Sequence, residues 1–345
     1  MRMIYFRSIN RRKRHIYICI IFTLVIFFVI YTELISYIIN TNYWIHLQCL
    51  DQTQCLKILL VADPQITGHE QIGSLSSLAQ YDSDSFLKRT YLHAVNFVKP
   101  DITIFLGDLM DEGSTATNEE YNEYLTRFFD IFPKSGNTKQ IWLPGDNDIG
   151  GEGFDRVTPL KMQRYQEAFD QADVLNFSRV TFVKVNNMIH YMPKIKEKRD
   201  FYNTSQIYFV ISHMPLMFMP SIFSEKVFSK IQPQVIFAAH QHKAMIISTD
   251  GLLRQDRQII PQTPLDNKVH NLILGYRDMY EILVPTCSYR MGTKHIGYGY
   301  ALLENGELQY TVLWSPSRFH LLWNYILILL IMIIFVSIVV IKTFL

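Results

Sequence analysis

The sequence predicts an α/β layered domain held between two membrane spans, and three observations carry that prediction. Five apolar runs each end in a carboxylate or a histidine: LKILLVADPQ at Asp63, ITIFLGDLMDEG at Asp108, IWLPGDNDIGG at Asp146, IYFVISHMP at His213, and VIFAAHQH at His240 and His242. Runs of about four to eight apolar residues bounded by turn chemistry read as strands buried on both faces. Strand and helix patterns then alternate as βαβαβα from residue 56 to 171, which favours α/β layers over an all-β architecture. Finally, an apolar segment long enough to cross a bilayer lies near each end of the chain.

The chain has 345 residues, 49% of them hydrophobic, which is enough for one sizeable core besides the spans. A net charge of +2 gives no global basic field for nucleic acid. The basic residues Arg7, Arg11, Arg12, Lys13 and Arg14 crowd a tail at 1–15. Residues 16–39 form the first span, with Glu33 near its far end, where a carboxylate can reach the interface. Its apolar core exceeds the ~7–15 residues of a cleaved signal. Bulky Tyr37, Tyr43 and Trp44 follow, so it reads as an uncleaved signal anchor. The second span covers 321–341, with Trp323 and Tyr325 as an interfacial belt, and leaves a tail at 342–345. Basic residues ahead of the first span put both tails in the cytosol and residues 40–320 in the lumen.

Glycosylation triplets at Asn176 and Asn203 agree with a lumenal core. So do Cys49 and Cys55, spaced to close a small loop in an oxidising compartment. Cys19 falls in the first span and Cys287 reads as a buried thiol.

Between the spans, 40–55 reads as a stalk and 56–315 as the domain. After the first strand, ITGHEQIGSLSSLAQYDSD reads as a long loop at the site mouth. Apolar spacing predicts a helix from Phe86 to Val98, ended by Pro100. Thr117 and Glu120 form a capping box for a helix to Phe132, and Pro159 starts another through Gln171. Residues 178–313 are strand-rich and read as a second sheet packed on the first, with 249–275 as a surface insertion. KIKEKRD at 194–200 reads as a solvated turn, Asp111 and Glu112 as loop caps or partners of the acids, and His190 and His270 as ordinary residues.

Residues at the carboxyl ends of buried strands lie where α/β sheets place their sites. Three acids and three histidines delivered this way can converge, and a set of hard oxygens plus imidazoles suits two divalent cations sharing one carboxylate. No cysteine spacing points to structural zinc.

These residues also carry a resemblance. The order Asp63-Pro64-Gln65, Gly107-Asp108 through Asp111-Glu112-Gly113, Gly145-Asp146-Asn147-Asp148, His213-x-Pro215 and His240-x-His242 resembles the calcineurin-like metallophosphoesterases, from about Leu56 to Ser315. The resemblance implies a four-layer metallophosphoesterase sandwich, two packed mixed sheets flanked by helices, holding two divalent metal ions, manganese foremost. It assigns Asp108 to the bridge, Asp63 and His242 (with Gln65 a further candidate) to one metal, and Asp146, His213 and His240 to the other. It marks Asn147, His213 and His240 as catalytic positions.

Three departures stand out: Gln65 and Asn147 occupy positions where the family usually has histidine, and Asp146 one where it has asparagine. Asparagine donates hydrogen bonds but gives up no proton near neutral pH. Asn147 is therefore expected to orient the phosphate while a site water or a loop histidine, His69 or His295, supplies the proton. Together with Arg290 these histidines are the candidate substrate contacts in the loops, and Tyr289 lies beside them.

The stretches DEGS, DNDIGGEG and VPTCSYRMGTKHIGYGYALL are similar to the membrane-anchored metallophosphoesterase 1 group, which removes an ethanolamine phosphate branch from GPI anchors. That implies GPI-anchored proteins as substrate, cargo receptors as partners, and a home in ER exit sites, the ER–Golgi intermediate compartment and Golgi. The alternatives are a phospholipid or lumenal nucleotide substrate, or a GPI-binding receptor without activity. The intact ligand set argues against the last.

Overall fold

The computed structural model describes all residues except 1, 52–53, 70–75, 178, 196–205, 252–253, 255, 276–277 and 345. Asn203, Ser178 of the other glycosylation triplet, part of the basic turn at 194–200 and part of the loop after the first strand lie outside the described residues. The chain divides into two units, residues 1–42 with 316–345, and residues 43–315.

The first unit is helical: α1 (Arg2–Ile30), a π-helical turn at Tyr31–Ile35, α2 (Ser36–Thr41) and α8 (Arg318–Phe344). His15–Thr41 and Arg318–Ile338 are long and apolar enough to cross a membrane. Glu33 is paired within this unit. It lies in the π-turn, where its carboxylate meets the Arg318 guanidinium at 3.0 Å and accepts from the Tyr325 hydroxyl at 2.5 Å. Arg318 also donates to the Tyr37 hydroxyl at 3.4 Å. A charge among apolar helices persists where it is paired, and wide turns of this kind often mark such a position.

In the second unit the strands are β1 (Leu56–Val61), β2 (Ile102–Phe105), β3 (Lys139–Trp142), β4 (Val174–Phe177), β5 (Val180–Lys184), β6 (Ile207–Ile211), β7 (Val235–Ala238), β8 (Met245–Asp250), β9 (Gln258–Pro261), β10 (His270–Ile273), β11 (Asp278–Leu283), β12 (Gly297–Glu304) and β13 (Glu307–Trp314). The helices are α3 (Ser76–Val98), α4 (Asn118–Ile131), α5 (Asp146–Ile149), α6 (Pro159–Ala168) and α7 (Ile222–Ile231). Two sheets form, in the orders β10-β13-β12-β1-β2-β3 and β4-β5-β6-β7-β11-β8-β9.

Alternation along the strands builds the layers. Ile58, Leu60, Ile102, Ile104 and Ile141 point inward and meet Phe182, Phe209, Phe237 and Ile282 of the second sheet in the central core. Leu59, Val61 and Phe105 point outward onto Leu87, Tyr91 and Phe128 of α3 and α4. On the far side, Val210, Ile236 and Leu283 pack on Val227, Phe228 and Ile231 of α7. The result is the expected sequence of helix, sheet, sheet and helix layers.

Four local expectations change. The strands after residue 178 do not all join the second sheet: β12 pairs antiparallel with β1, and β13 and β10 continue that sheet. This covers the edge of β1, whose last four residues are buried. The 249–275 stretch is not a plain insertion, since β9 extends one sheet edge and β10 the other. Helix α3 begins ten residues before Phe86, so much of the presumed loop is helical. Helix α6 ends at Ala168, three residues short of Gln171. The Thr117–Glu120 capping box and the pairing of Cys49 with Cys55 are present as read.

Candidate metal centre

The six candidate ligands follow strand ends of both sheets. Asp63 comes after β1, Asp108 after β2 and Asp146 opens α5 after β3, while His213 follows β6 and His240 and His242 follow β7. The strand ends bend sharply to aim them. Asp63, Gln65, Asp108, His240 and His242 all have left-handed backbones, with φ of 47°, 42°, 51°, 65° and 56°. Such conformations cost a non-glycine residue ~1–2 kcal/mol, and they gather at functional sites. Close approach of the loops sets the glycines. A Cβ on Gly107, itself at φ 93°, would lie 2.7 Å from His213 Nδ1, and one on Gly145 2.1 Å from Asp108 Oδ1.

The side chains gather in two groups, Asp63 with Asp108 and His242, and Asp146 with His213 and His240. Within each group the ligand atoms lie within 4.8 Å of one another. Asp108 also faces the second group, its Oδ1 3.5 Å from His213 Nε2. His213 Nδ1 donates to the Leu106 carbonyl at 2.8 Å, leaving Nε2 toward Asp146 Oδ1 at 2.9 Å. This is the second hydrogen bond that fixes the tautomer and aim of a ligating imidazole. His240 Nδ1 lies 3.0 Å from the same Asp146 oxygen.

Burial shapes the charges. Asp63 is pushed up to about 8 by burial and the neighbouring Asp108, against the pull of His213. Burial disfavours the charged His213 ring, yet Asp108, Asp146 and Asp63 raise it to about 10. Burial would raise Asp146, but hydrogen bonds from His213 and His240 hold it well below the usual carboxylate range. Burial lowers His242, which favours the neutral imidazole a metal requires.

Carboxylates crowded in this way need cations. The Asp63 Oδ2 atom is buried without a hydrogen-bond partner, and the donors around it are oxygens and imidazoles with no thiolate. An orphaned carboxylate oxygen in such a set fits a divalent ion.

Neighbouring residues fix the ligands. Asn147 donates to Asp108 twice, from its backbone N–H to Oδ1 and from Nδ2 to Oδ2, both at 3.0 Å. Gln65 Nε2 donates to Asp108 Oδ2 at 2.9 Å, so its amide nitrogen faces the set. Asp148 accepts from the backbone N–H groups of Leu109, Met110 and Gly145 at 3.1, 3.0 and 2.8 Å, tying two ligand loops together. Burial, with Asp108 nearby, raises Asp148 to about 7. Sequence reasoning quoted Asp148 within its motif but gave it no role.

Two more residues escaped notice. Glu152 in the GGEG bend has its carboxyl raised chiefly by a hydrogen bond with Asp146. Glu281 accepts from the N–H groups of Leu216, Met217 and Phe218, just after His213. Its signal was a lone acid within the apolar run YEILVP.

The loop candidates sit further out. Arg290 hydrogen-bonds Thr67 and lies 3.7 Å from Asp111, whose carboxyl burial raises to about 6. Tyr289 donates to Asp82 at 2.7 Å. His69 pairs with Glu123 at 3.1 Å, and His295 packs edge-on against Trp314. Neither histidine is within the two ligand groups.

A family model described as calcineurin-like phosphoesterase matches residues 56–244, more than half of the chain. The chain belongs to that family. Within this family member the paired acid and histidine groups are two candidate sites for divalent cations. Metallophosphoesterase 1 of Danio rerio is 26% identical over 174 residues, covering 50% of this chain and 44% of that one. Cell division control protein 1 of Saccharomyces cerevisiae is 23% identical over 310 residues, 76% of this chain and 56% of that one. A Metallophosphoesterase 1 homolog of Caenorhabditis elegans is 31% identical over 143 residues, 38% of this chain and 37% of that one. The chain thus spans about half the length, or less, of the curated relatives it matches.

Proposed function

We propose that the chain is a two-metal phosphodiesterase anchored in membranes of the early secretory pathway, with residues 43–315 lumenal. Its substrate in this reading is the ethanolamine phosphate branch of GPI anchors. The observation that carries the chemistry is the pair of ligand groups with Asp108 facing both. The three aspartates bring three negative charges against the four positive charges of two divalent cations. The remaining single positive charge matches one phosphodiester. Bound there, two such cations, manganese in this reading, would activate a water and neutralise charge on the phosphoryl oxygens.

The chain's own residues do the positioning. Asp108 sits between the groups, held by Gln65 and Asn147. His213, fixed by the Leu106 carbonyl, and His240 orient the second group. Asn147 donates to the phosphate without surrendering a proton. Asp63 and His242 complete the first group.

The resemblance of DEGS, DNDIGGEG and the late loop to the membrane-anchored group supports the substrate. The Cys49–Cys55 pair and an exposed Asn176 on β4 support a lumenal setting. Anchoring beside a lipid-borne substrate raises its effective concentration. GPI-anchored proteins are then the cargo acted on, and the receptors that export them are partners.

The test uses the full chain in detergent with Mn²⁺ on a nitrophenyl phosphodiester, followed by mass analysis of GPI glycans from cells lacking the protein. Chelator-sensitive hydrolysis and retained ethanolamine phosphate are expected. Unchanged glycans with intact hydrolysis would move the substrate to another phosphodiester, and metal binding without hydrolysis would make this a binding protein.

A further inference from the structure

Asp63 holds a backbone conformation that its own neighbour disfavours. Its φ of 47° is left-handed, and Pro64 follows it, although the residue before a proline is pushed toward extended conformations. Conformations of this kind persist only where the surrounding structure holds them. The Asp63 carboxylate belongs to the first ligand group, so whatever holds this corner also aims a ligand.

The hold comes from the segment after β11. That strand runs parallel to β7, which delivers His240 and His242, and the N–H of Val284 donates to the Ala238 carbonyl at 2.9 Å. The chain then crosses to the other sheet. Thr286 bridges Ala62 at the end of β1, and Cys287 N–H donates to the Ala62 carbonyl at 3.0 Å. Gly297 N–H, at the start of β12, donates to the Thr286 carbonyl at 3.0 Å. The Thr286 hydroxyl acts at the corner itself: it donates to the Asp63 carbonyl at 2.8 Å and accepts from Ser288 N–H at 3.0 Å. Thr286, Cys287 and Ser288 are all buried. The first group draws Asp63 and Asp108 from one sheet and His242 from the other, so the Thr286 bond lies on the join between them.

We infer that Thr286 is a positioning residue for the first ligand group, its hydroxyl fixing the Asp63 corner of one sheet against the His242 corner of the other. The inference rests on the two-metal reading proposed above and adds a residue that sets its geometry. Residues that orient a ligand are typically worth about 10–100-fold in metal affinity.

The test is a double-mutant cycle on the full chain in detergent, titrated with Mn²⁺ and followed by the paramagnetic resonance of the free ion. Thr286→Val keeps the branched shape and removes the hydroxyl. It is expected to weaken one of two bound ions about 10–100-fold and to leave the other at parent affinity. Thr286→Ser restores the hydroxyl and is expected to restore the affinity. In an Asp63→Asn background, Thr286→Val is expected to leave the remaining affinity unchanged, because the ligand it positions is already lost. Amide hydrogen exchange of the metal-free protein gives a second readout. Gln65 and Ile66, whose N–H groups donate to the Asp108 and Leu109 carbonyls at 2.9 and 3.1 Å, are expected to exchange faster in Thr286→Val. Should Thr286→Val not fold, Thr286→Ala removes the same hydroxyl without leaving a methyl against the freed groups. Parent affinity for both ions in Thr286→Val, equal weakening of both, or no recovery in Thr286→Ser would overturn the inference. A parent protein that takes up no Mn²⁺, with the faster exchange still seen and still reversed by serine, would keep Thr286 as the hold on Asp63 and remove the proposed function instead.

Discussion

Glu281→Ala is expected to loosen the centre without touching a ligand. Glu281 is fully buried, and its two oxygens accept from Leu216 N at 2.6 Å, Met217 N at 3.1 and 3.0 Å, and Phe218 N at 2.7 Å. Arg257 braces the same turn by donating to the Met217 carbonyl at 2.9 Å. Truncation leaves three amide donors with no acceptor, each costing ~1–3 kcal/mol where it stays buried. Phe218 can tilt its N–H to water, whereas Leu216 and Met217 are buried. Two donors therefore carry the cost, and the loss of stability comes to ~2–6 kcal/mol, the upper part of which is the range of buried network failures. Because Leu216 lies three residues after His213, metal affinity should drop as well, by the ~10–100-fold typical of losing a residue that orients a ligand. Glu281→Gln keeps one acceptor oxygen and should fall between. Urea unfolding of the detergent-solubilised chain, with and without Mn²⁺, measures the first effect, and competition with a fluorescent chelator the second. Stability within ~0.5 kcal/mol of the parent, together with unchanged affinity, would mean that the loop holds itself and that the carboxylate is incidental.

Asp108→Asn should cost more activity than Asp63→Asn, since Asp108 faces both ligand groups; both should exceed the ~10–100-fold of an outer partner, read as kcat/KM on a nitrophenyl diester with metal content measured alongside. Lys184→Met should stabilise the protein: burial lowers the Lys184 ammonium from 10.5 to about 8 despite Asp173 and Asp170, a difference of ~3 kcal/mol. Below pH 8 both folded and unfolded states hold the proton and the native cost is full; from 8 to 10.5 only the unfolded state holds it, so parent stability rises with pH and the advantage of the variant shrinks to nothing, as pH-dependent denaturation would register. Asn147→Ala should slow alkyl and nitrophenyl diesters alike by up to about 10²-fold, whereas loss of a true proton donor, tested at His69 and His295, should slow only the alkyl ester; an Asn147 effect confined to the alkyl ester would assign the proton to that position.

The strand ends were legible because the signal is local. An apolar run, a turn and one polar residue occupy ten positions, and the left-handed bends at Asp63, Asp108, His240 and His242 follow directly on the strands. The Thr117 cap was legible for the same reason, since both halves of the box lie three residues apart. Partnership between strands is another matter. Nothing in GYALL or ELQYTVLW says whether the strand will lie beside β1 or β11, because alternation fixes a face and not a neighbour. The short edge strands β9 and β10 were hidden by their exposure. The four positions of β9 all face solvent, so the alternation that marks a strand is missing. The first turns of α3, SSLAQYDSDS, carry too few apolar residues to show a helical stripe.

The deepest omissions are charges whose meaning depends on distant partners. Glu33 and Arg318 are 285 residues apart in sequence and 3.0 Å apart in space. Each alone looks like a flaw in an apolar segment. Paired, and joined by the Tyr325 and Tyr37 hydroxyls, they are a polar seam between two helices. Glu281 behaves the same way, as an acid inside a strand that makes sense only once the loop after His213 folds over it.

The metal centre combines both kinds of information. Its ligands are announced by local pattern, yet their conformations are individually unfavourable, at ~1–2 kcal/mol for each left-handed residue. Glycine would relieve that strain but remove the side chain, so these positions must bear it. What holds them is non-local: the Asp148 carboxylate across two loops, the Leu106 carbonyl on His213, and the close approach of Gly107 to Gly145. Local sequence chooses the chemistry, and the face-to-face packing of two sheets enforces the geometry that this chemistry requires.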